Sequence, residues 1–393
     1  MADRAYLDWN ASAPPLPQAR TAMIAALGRS GNPSSVHAEG RAARHVIDDA
    51  RAKVAALVGA DPATVIFTSG GTEANALALS PIAGTQGARL LVSAVEHPSV
   101  RSGGRFPAAC REEVPVTADG IVDLAALRGR LAERTGCRVM VSIMLANNES
   151  GVIQPIAKAA EIVHSAGGVL HVDAVQGPGR IAVDMDTLGA DLLTLSAHKL
   201  GGPKGTGALI SRGQIPLEPA ITGGGQERGL RAGTENVAQA VALGEAARLA
   251  AAELASGGPQ RLRELRDLLH RRLEEQLPGL VNLNGHPELR LPGTLNVSIT
   301  GVRGDQLLAA TPAVAAATGS ACHAGSTEPS PVLLAMGYDN DRAASALRLT
   351  FGRWTTREQA GAAATQIAAA ARRLRTGRPG AEQPLDGARD LSD

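Results

Sequence analysis

Lysine is scarce in this sequence, and one lysine has an unusual setting. Only four of the 39 basic residues are lysines, at positions 53, 158, 199 and 204. Lys199 alone directly follows an apolar run typical of a strand, "LTLSA", and Ser196 and His198 lie beside it. An amine at a strand end has the access and fixed position that imine formation with a carbonyl compound requires. We therefore predict that Lys199 is a catalytic residue.

A glycine pair at the start of a predicted helix could bind an anion. In "SGGTEANALAL" (69–79), Gly71 permits a tight turn after a strand and Thr72 stands at the helix start. The free N–H groups and the dipole at that end of a helix attract negative charge. Taken alone, the same pattern is also typical of an ordinary helix cap.

Two further strand ends carry polar side chains. Asp173 ends the apolar run in "HVDAVQ" (171–176), where it needs a partner because an unpaired buried charge is costly. A salt bridge or a helix cap would also satisfy it. His97 follows another strand in "VEHPSV" (95–100) and could stack over a cofactor ring or be purely structural. An anion site, a carboxylate and a lysine in this order match the needs of pyridoxal phosphate.

A cysteine lies among small residues near the C-terminal end, in "TGSACHAGST" (318–327). Cys322 could be a mobile nucleophile or a small hydrophobic residue in a loop. His323 could lower the pKa of the thiol or only cap the loop. The other cysteines, Cys110 and Cys137, are far away, which predicts neither a disulfide framework nor a metal site. We interpret Cys137 as a strand core residue and Cys110 as incidental.

The composition argues against partners that are attracted by a strong net charge. The 39 basic and 38 acidic residues nearly cancel, so nucleic acid and membrane surfaces are not expected partners. The beginning of the chain lacks the apolar stretch of a signal peptide, and no run is long enough to span a membrane. We expect a cytoplasmic enzyme that acts on a small molecule.

The elements that must position these residues alternate between strands and helices. Apolar or β-branched runs predict strands near 64–69, 89–94, 137–144, 168–174, 191–197 and 207–211. Segments of helical length separate most of them, which favours an α/β fold with a mostly parallel sheet covered on both faces. Ligands of such sheets bind beyond the carboxyl ends of the strands, where most of the unusual residues fall.

The sequence predicts two domains and a tail. A large domain covers 16–257, and "SGGPQ" (256–260) indicates its boundary. A smaller α+β domain combines 1–15 with 258–376. The last residues, 377–393, have too little apolar content to fold and are predicted to be disordered.

Ten ordered segments together resemble one family. They are "YLDWNASAPP", "GNPSSVHAEGR", "VIFTSGGTEANALAL", "EHPSV", "NNESGVIQPI", "HVDAVQ", "SAHKLGGPKGTGAL", "GGGQERGLRAGTENV", "TGSACHAGSTEPSPVLLAMG" and "LRLTFGRWTT". In order and spacing they resemble the pyridoxal-phosphate-dependent cysteine desulfurases of the NifS/IscS type, over about residues 5–372. The resemblance implies fold type I of the pyridoxal-phosphate transferases, the class V aminotransferase architecture and a homodimer.

The resemblance also implies roles for individual residues. It makes Lys199 the Schiff-base lysine, Asp173 the partner of the pyridine nitrogen, and His97 the stacking residue with an acid–base role. Gln176 would contact the phenolic oxygen of the cofactor, and its phosphate would be bound by Gly71, Thr72, Ser196 and His198. Thr234 would bind the phosphate in the neighbouring subunit. Asn148 and Arg348 would bind the substrate carboxylate. Cys322 would be the nucleophile that takes the sulfur.

The implied reaction converts L-cysteine into L-alanine and a persulfide on Cys322. The persulfide would then go to a protein acceptor in iron–sulfur cluster assembly, tRNA thiolation or DNA phosphorothioation. One alternative is a selenocysteine lyase or cysteine C–S lyase that releases its chalcogen directly. A non-enzymatic alternative is a thiol sensor or sulfur carrier on an inactive aminotransferase fold.

Overall fold

The computed structural model describes residues 4–80, 87–133, 138–213, 215–318 and 328–377. Its strands are β1 (Ala5–Tyr6), β2 (Val65–Thr68), β3 (Arg89–Ser93), β4 (Arg111–Val114), β5 (Val139–Ser142), β6 (Val169–Asp173), β7 (Leu192–Ser196), β8 (Gly207–Ser211), β9 (Val281–Leu283), β10 (Thr294–Ile299), β11 (Val314–Ala315) and β12 (Ala346–Thr350).

The helices lie between and around these strands. They are α1 (Pro17–Leu27), α2 (Ala38–Leu57), α3 (Gly71–Ala78), α4 (Pro98–Arg101), α5 (Leu124–Ala132), α6 (Ile156–Ser165), α7 (Met185–Leu188), α8 (Val237–Ala255), α9 (Gly258–Gln276), α10 (Gly304–Ala309), α11 (Pro331–Ala335), α12 (Asn340–Ala344) and α13 (Arg357–Arg375). No helix of the described ranges is both long and apolar enough to cross a membrane.

Seven strands form the main sheet, in the order β2-β8-β7-β6-β5-β3-β4. The neighbours from β7 through β6, β5 and β3 to β4 run parallel, and β8 is antiparallel to both β7 and β2. The predicted α/β class and mostly parallel sheet are therefore confirmed. All six predicted strands are present, with ends that differ from the prediction by no more than two residues, and β4 was not predicted.

The main sheet is buried on both faces. Successive side chains of a strand point to opposite sides, and each side packs into its own apolar cluster. On β3, Leu91 belongs to the large apolar cluster that also contains residues of α2, α5, α6 and α8. Its neighbours Leu90 and Val92 belong to a second cluster, which includes residues of α3. This two-sided burial explains why the strands read as continuous apolar runs rather than as alternating ones.

A second core surrounds a three-stranded antiparallel sheet, in the order β12-β10-β9. Leucines of α9 and alanines of α13 pack with apolar residues of these strands. β1, from the N-terminal segment, pairs with β11 and contributes Ala5 to the same core. The predicted boundaries at residues 15, 257 and 376 stay predictions.

Candidate active site

A cavity of about 300 Å³ opens at the carboxyl ends of the main-sheet strands. Its lining comes from the N-terminal segment, the beginning of α3, the ends of β3, β6 and β7, the loop after β5, and β12. The predicted site residues among this lining are Gly71, Thr72, His97, Asn148, Asp173, Gln176, Ser196, His198, Lys199 and Arg348. One chain thus brings together ten of the twelve residues assigned from sequence.

Lys199 lies in a short 3-10 turn, Ala197–Lys199, directly after β7. Its Nζ donates hydrogen bonds to the backbone oxygens of Asn10, at 2.6 Å, and Ala11, at 2.9 Å. Carbonyl oxygens favour the protonated form of an amine because they accept its N–H groups. The N-terminal segment therefore provides a fixed place for the Lys199 ammonium.

The Asp173 carboxylate is held from two sides at the end of β6. Its Oδ2 accepts from Asn75 Nδ2 at 2.8 Å, and its Oδ1 accepts from the backbone N–H of Val175 at 3.0 Å. Only 6% of Asp173 is exposed, so its charge acts in surroundings with little water. Such a carboxylate can hold a proton on a nitrogen base placed in the cavity.

His97 precedes helix α4, and its ring caps that helix. Nδ1 accepts from the Ser99 backbone N–H at 3.2 Å and lies 2.7 Å from the Ser99 hydroxyl. Burial lowers the pKa of His97, the Asp173 charge raises it, and the Lys199 charge lowers it further, with a net lowering. The neutral imidazole is therefore the favoured form.

The beginning of α3 and the end of β7 form one end of the cavity. A side chain at Gly71 would approach Val175 Cγ2 to 3.2 Å and Ser196 Cβ to 3.4 Å, so glycine keeps this end open. The eight-residue helix directs free N–H groups toward it. Burial and three nearby cations, including Lys199, lower the pKa of His198 to about 4, which leaves its ring neutral.

Gln176 is fixed by contacts with Asn10 and Arg180. Its Nε2 donates to the backbone oxygen of Asn10 at 3.0 Å, and its side-chain oxygen accepts from Arg180. Burial lowers the pKa of Arg180 to about 10, and repulsion from Arg348 acts in the same direction. These contacts orient the Gln176 amide with its nitrogen as the donor.

Arg348, on β12, supplies a guanidinium that is only 2% exposed. Nη2 donates to Asp8 Oδ1 at 2.8 Å and Nη1 to the backbone oxygen of Asn148 at 3.3 Å. Its Nε has no hydrogen-bond partner within the described part of the chain. A buried donor without a partner is costly, and a carboxylate bound in the cavity could satisfy it.

The other two assigned residues are Thr234 and Cys322. Thr234 is exposed and does not line the cavity of its own chain. Cys322 lies outside the described residues, as do His323 and Cys137. Cys110 is described and is half-buried.

Three polar residues of the lining were missed by the sequence analysis: Asn10, Asn75 and Ser99. All three lie within quoted segments, and for Asn75 an asparagine inside a helix is a local signal because it usually weakens one. Asn10 gave no such signal. It reaches the site because the bridge between Asp8 and Thr350 brings the N-terminal segment alongside β12.

The donor set fits pyridoxal phosphate better than a metal ion. The described ranges contain no group of three or more His, Cys, Asp or Glu side chains placed to hold a metal. The cavity instead combines an amine, a buried carboxylate, an imidazole and a glycine-lined helix start. The space kept open beside Gly71 would suit a phosphate, and the other three groups match the aldehyde, nitrogen and ring face of the cofactor.

Comparisons with known proteins find relatives of one family. The family model for aminotransferase class-V matches residues 5–362. A cysteine desulfurase from Frankia sp. (strain EuIK1) is 42% identical over 389 residues, which cover 94% of this chain and 92% of that protein. A cysteine desulfurase IscS from Aeromonas hydrophila is 41% identical over 397 residues, covering 97% and 96% respectively. The solved structure of a NifS-like protein from Rickettsia africae superposes with a TM-score of 0.85 at 31% identity, covering 93% of this chain and 99% of that chain.

Proposed function

Because the chain belongs to the class V aminotransferase family, and within it to the cysteine desulfurases of the NifS/IscS type, we propose that it converts L-cysteine into L-alanine and a persulfide on Cys322. The Cys322 sulfur forms a bond to the substrate sulfur, and the substrate Cβ–S bond breaks. The electron pair of that bond stays with Cβ, which takes up the proton given up by the Cys322 thiol and becomes the methyl group of alanine. The supporting observation is that Lys199, Asp173 and Arg348 line one cavity.

The family uses pyridoxal 5'-phosphate, and the cavity offers a partner for each part of it. Lys199 would hold the aldehyde carbon, Asp173 the ring nitrogen and Gln176 the phenolic oxygen. The phosphate would lie against Gly71, Thr72, Ser196 and His198. When bound, the cofactor withdraws electrons from the attached substrate, which makes the Cα–H acidic and lets Cβ accept an electron pair.

Arg348 and Asn148 bind the substrate carboxylate in this proposal. Arg348 Nε is buried and has no partner among the described residues, so it can donate to a carboxylate without first losing a protein contact. Asp8 and the Asn148 backbone hold the other two nitrogens. The guanidinium is thus oriented before substrate arrives, which reduces the entropy lost on binding.

Lys199 moves the proton in this proposal. Its Nζ can take the proton from the substrate Cα, and the carbonyl oxygens of Asn10 and Ala11 then stabilise the resulting ammonium. His97 would stack on the cofactor ring and donate the proton on its Nε2 to the substrate bound beside it. The low pKa of His97 keeps this group neutral, so it does not repel the Lys199 ammonium strongly.

Cys322 accepts the sulfur, and the chain on both sides of it is anchored near the substrate site. The backbone of Ala317 pairs with that of Arg348, and Ser330 Oγ donates to Glu149 Oε2 at 2.5 Å, beside Asn148. Cys322 follows Ala317 by five residues, a span of at most about 17 Å. Chain length therefore permits the thiol to reach the cavity.

The finer proposals concern assembly, acceptor and compartment. We propose a homodimer in which Thr234 binds the phosphate in the neighbouring subunit, which is compatible with its exposure in a single chain. We propose a cytoplasmic location and a separate protein acceptor of the persulfide, in iron–sulfur cluster assembly, tRNA thiolation or DNA phosphorothioation. Mass spectrometry of persulfidated proteins that co-purify with the enzyme would identify it.

Alanine release separates this function from the lyase alternative. We expect Cys322→Ser to bind L-cysteine but to release alanine at least 100-fold more slowly, because a hydroxyl is a far poorer nucleophile toward sulfur than a thiolate. Cys110→Ser is the matched control and should retain activity. If Cys322→Ser released alanine at the wild-type rate, with the substrate sulfur leaving as elemental sulfur, the enzyme would be a C–S lyase.

A further inference from the structure

A buried side-chain amide connects the end of β6 with helix α4 in the active site. Asn75, on α3, is 1% exposed and has two N–H groups on Nδ2. One donates to Asp173 Oδ2 at 2.8 Å and the other to Ser99 Oγ at 2.9 Å. Asn75 thus links Asp173, the last residue of β6, to Ser99, which contacts the His97 ring.

The direction of each hydrogen bond in this network follows from the donors available. A backbone N–H can only donate, so the contact between Ser99 N and His97 Nδ1, at 3.2 Å, makes Nδ1 an acceptor. Ser99 Oγ already accepts from Asn75, so its own proton is directed to Nδ1, 2.7 Å away. The proton of the neutral imidazole therefore lies on Nε2.

The Asn75 amide is oriented so that its oxygen lacks a hydrogen bond within the described residues, which indicates that another contact determines the orientation. Its Oδ1 is buried and has no partner among the residues that the structure describes. Turning the amide over would place Oδ1 against the Asp173 carboxylate, and two acceptors would then repel each other. The charge of Asp173 therefore fixes the amide, and through it the direction of the Ser99 hydroxyl.

We propose that Asn75 and Ser99 are positioning residues that hold His97 as the Nε2-protonated tautomer, with Asp173 fixing the direction of the network. This inference rests on the proposed function, in which His97 donates through Nε2 beside the cofactor. It adds two residues that act through His97 and Asp173 and form no bond to the substrate.

The network also opposes protonation of His97. A proton on Nδ1 would face the Ser99 backbone N–H, so both groups would be donors. The charged groups that act on the ring are Asp173, which raises its pKa, and Lys199, which lowers it, while burial lowers it most. Loss of the Ser99 hydroxyl removes one donor that stabilises the neutral ring and should raise the His97 pKa.

Nitrogen-15 NMR of histidine side chains tests the inference in the full-length holoenzyme. The His97 signals would be assigned by their loss in His97→Gln. We expect the wild type to carry its proton on Nε2 and to accept at Nδ1. In Ser99→Ala, the Nδ1-protonated tautomer should become detectable and the His97 pKa should rise by roughly half a unit or more.

Two further variants control for structural damage. Ser99→Thr keeps the hydroxyl and should restore the wild-type tautomer and pKa. Ser102→Ala removes a hydroxyl at the end of α4 whose hydrogen bond, within the described residues, goes to the Ser99 backbone oxygen, and it should change neither property. A wild-type His97 protonated on Nδ1, or a Ser99→Ala variant with unchanged tautomer and pKa, would overturn the inference.

The NMR result is independent of the proposed reaction. If the tautomer and its response to Ser99→Ala were as expected but the enzyme released no alanine from L-cysteine, the proposed function would fail and the hydrogen-bond network would stand. If alanine were released while His97 showed no response, the reaction would stand and the positioning role would fail.

Discussion

Arg348 Nη2 donates to Asp8 Oδ1 at 2.8 Å, an ion pair between residues 340 positions apart. The Arg348 side chain is 2% exposed and that of Asp8 is 23% exposed. The pair orients the guanidinium, but it also neutralises part of the charge that would attract a substrate carboxylate. Substrate binding and folding stability are therefore coupled through Asp8.

We predict that Asp8→Asn destabilises the holoenzyme by roughly 2 kcal/mol, less than for a fully buried pair because Asp8 is partly exposed. Asparagine keeps an oxygen for Nη2 but removes the charge. A saturating carboxylate ligand such as L-alanine should replace that charge and stabilise the variant more than the wild type. Thermal unfolding with and without L-alanine measures both effects.

Glu112→Gln is the matched control for this experiment. Arg89 and Glu112 form an ion pair at 2.8 Å with side chains 3% and 22% exposed, and neither lines the cavity. The variant should lose stability without a larger response to L-alanine. An equal response to L-alanine in Asp8→Asn and wild type would contradict the coupling.

The raised pKa of Glu149 predicts that the stability of the fold depends on pH. Burial raises its pKa from 4.5 to about 7, although the Ser330 hydrogen bond and the Arg348 charge act in the opposite direction. The folded protein then binds a proton that the unfolded chain has already released, so stability falls as pH rises between about 4.5 and 7. The shift corresponds to about 3 kcal/mol.

We predict that Glu149→Gln removes this contribution, because glutamine keeps the oxygen that accepts from Ser330 but does not titrate. Chemical denaturation at pH 5 and pH 8 would measure the free energy of unfolding of both proteins. The wild type should lose more stability than the variant over that interval. Parallel losses would show that Glu149 does not titrate there.

Thr234 predicts a dependence of cofactor binding on the dimer. If its hydroxyl binds phosphate in the neighbouring subunit, Thr234→Val should lower the affinity for pyridoxal phosphate about tenfold, the loss of one charge-assisted hydrogen bond. The variant should remain a dimer. Thr187→Val, at another exposed position, is the control. A monomer by light scattering that retains full cofactor affinity would refute the shared site.

The sequence predicts those parts of the site that depend on local pattern. Lys199 and Asp173 each follow an apolar strand, and parallel strands place such residues at the same edge of a sheet. β4 was missed because its residues, "REEV", do not resemble a buried strand. Its Glu112 instead bonds to Arg89 on β3 through both carboxylate oxygens, which only the folded sheet brings together.

Long-range contacts account for the remaining misses. Asn10 accepts from Lys199 and Gln176 through its backbone oxygen, so its side-chain type gives no hint of that role. Asp8 reaches Arg348 only after the N-terminal segment meets β12. The two-domain boundaries and the roles of all the assigned site residues, Thr234 and Cys322 included, remain predictions.

The most direct test of the central claim is the location of the sulfur after one turnover. Holoenzyme would be mixed with one equivalent of L-cysteine without reductant, quenched with an alkylating reagent and analysed by peptide mass spectrometry. The account predicts one added sulfur atom on the peptide that contains Cys322, together with one equivalent of L-alanine, and none on the peptides of Cys110 or Cys137. Alanine formed with all three cysteines unmodified and the sulfur found in solution as elemental sulfur would contradict it.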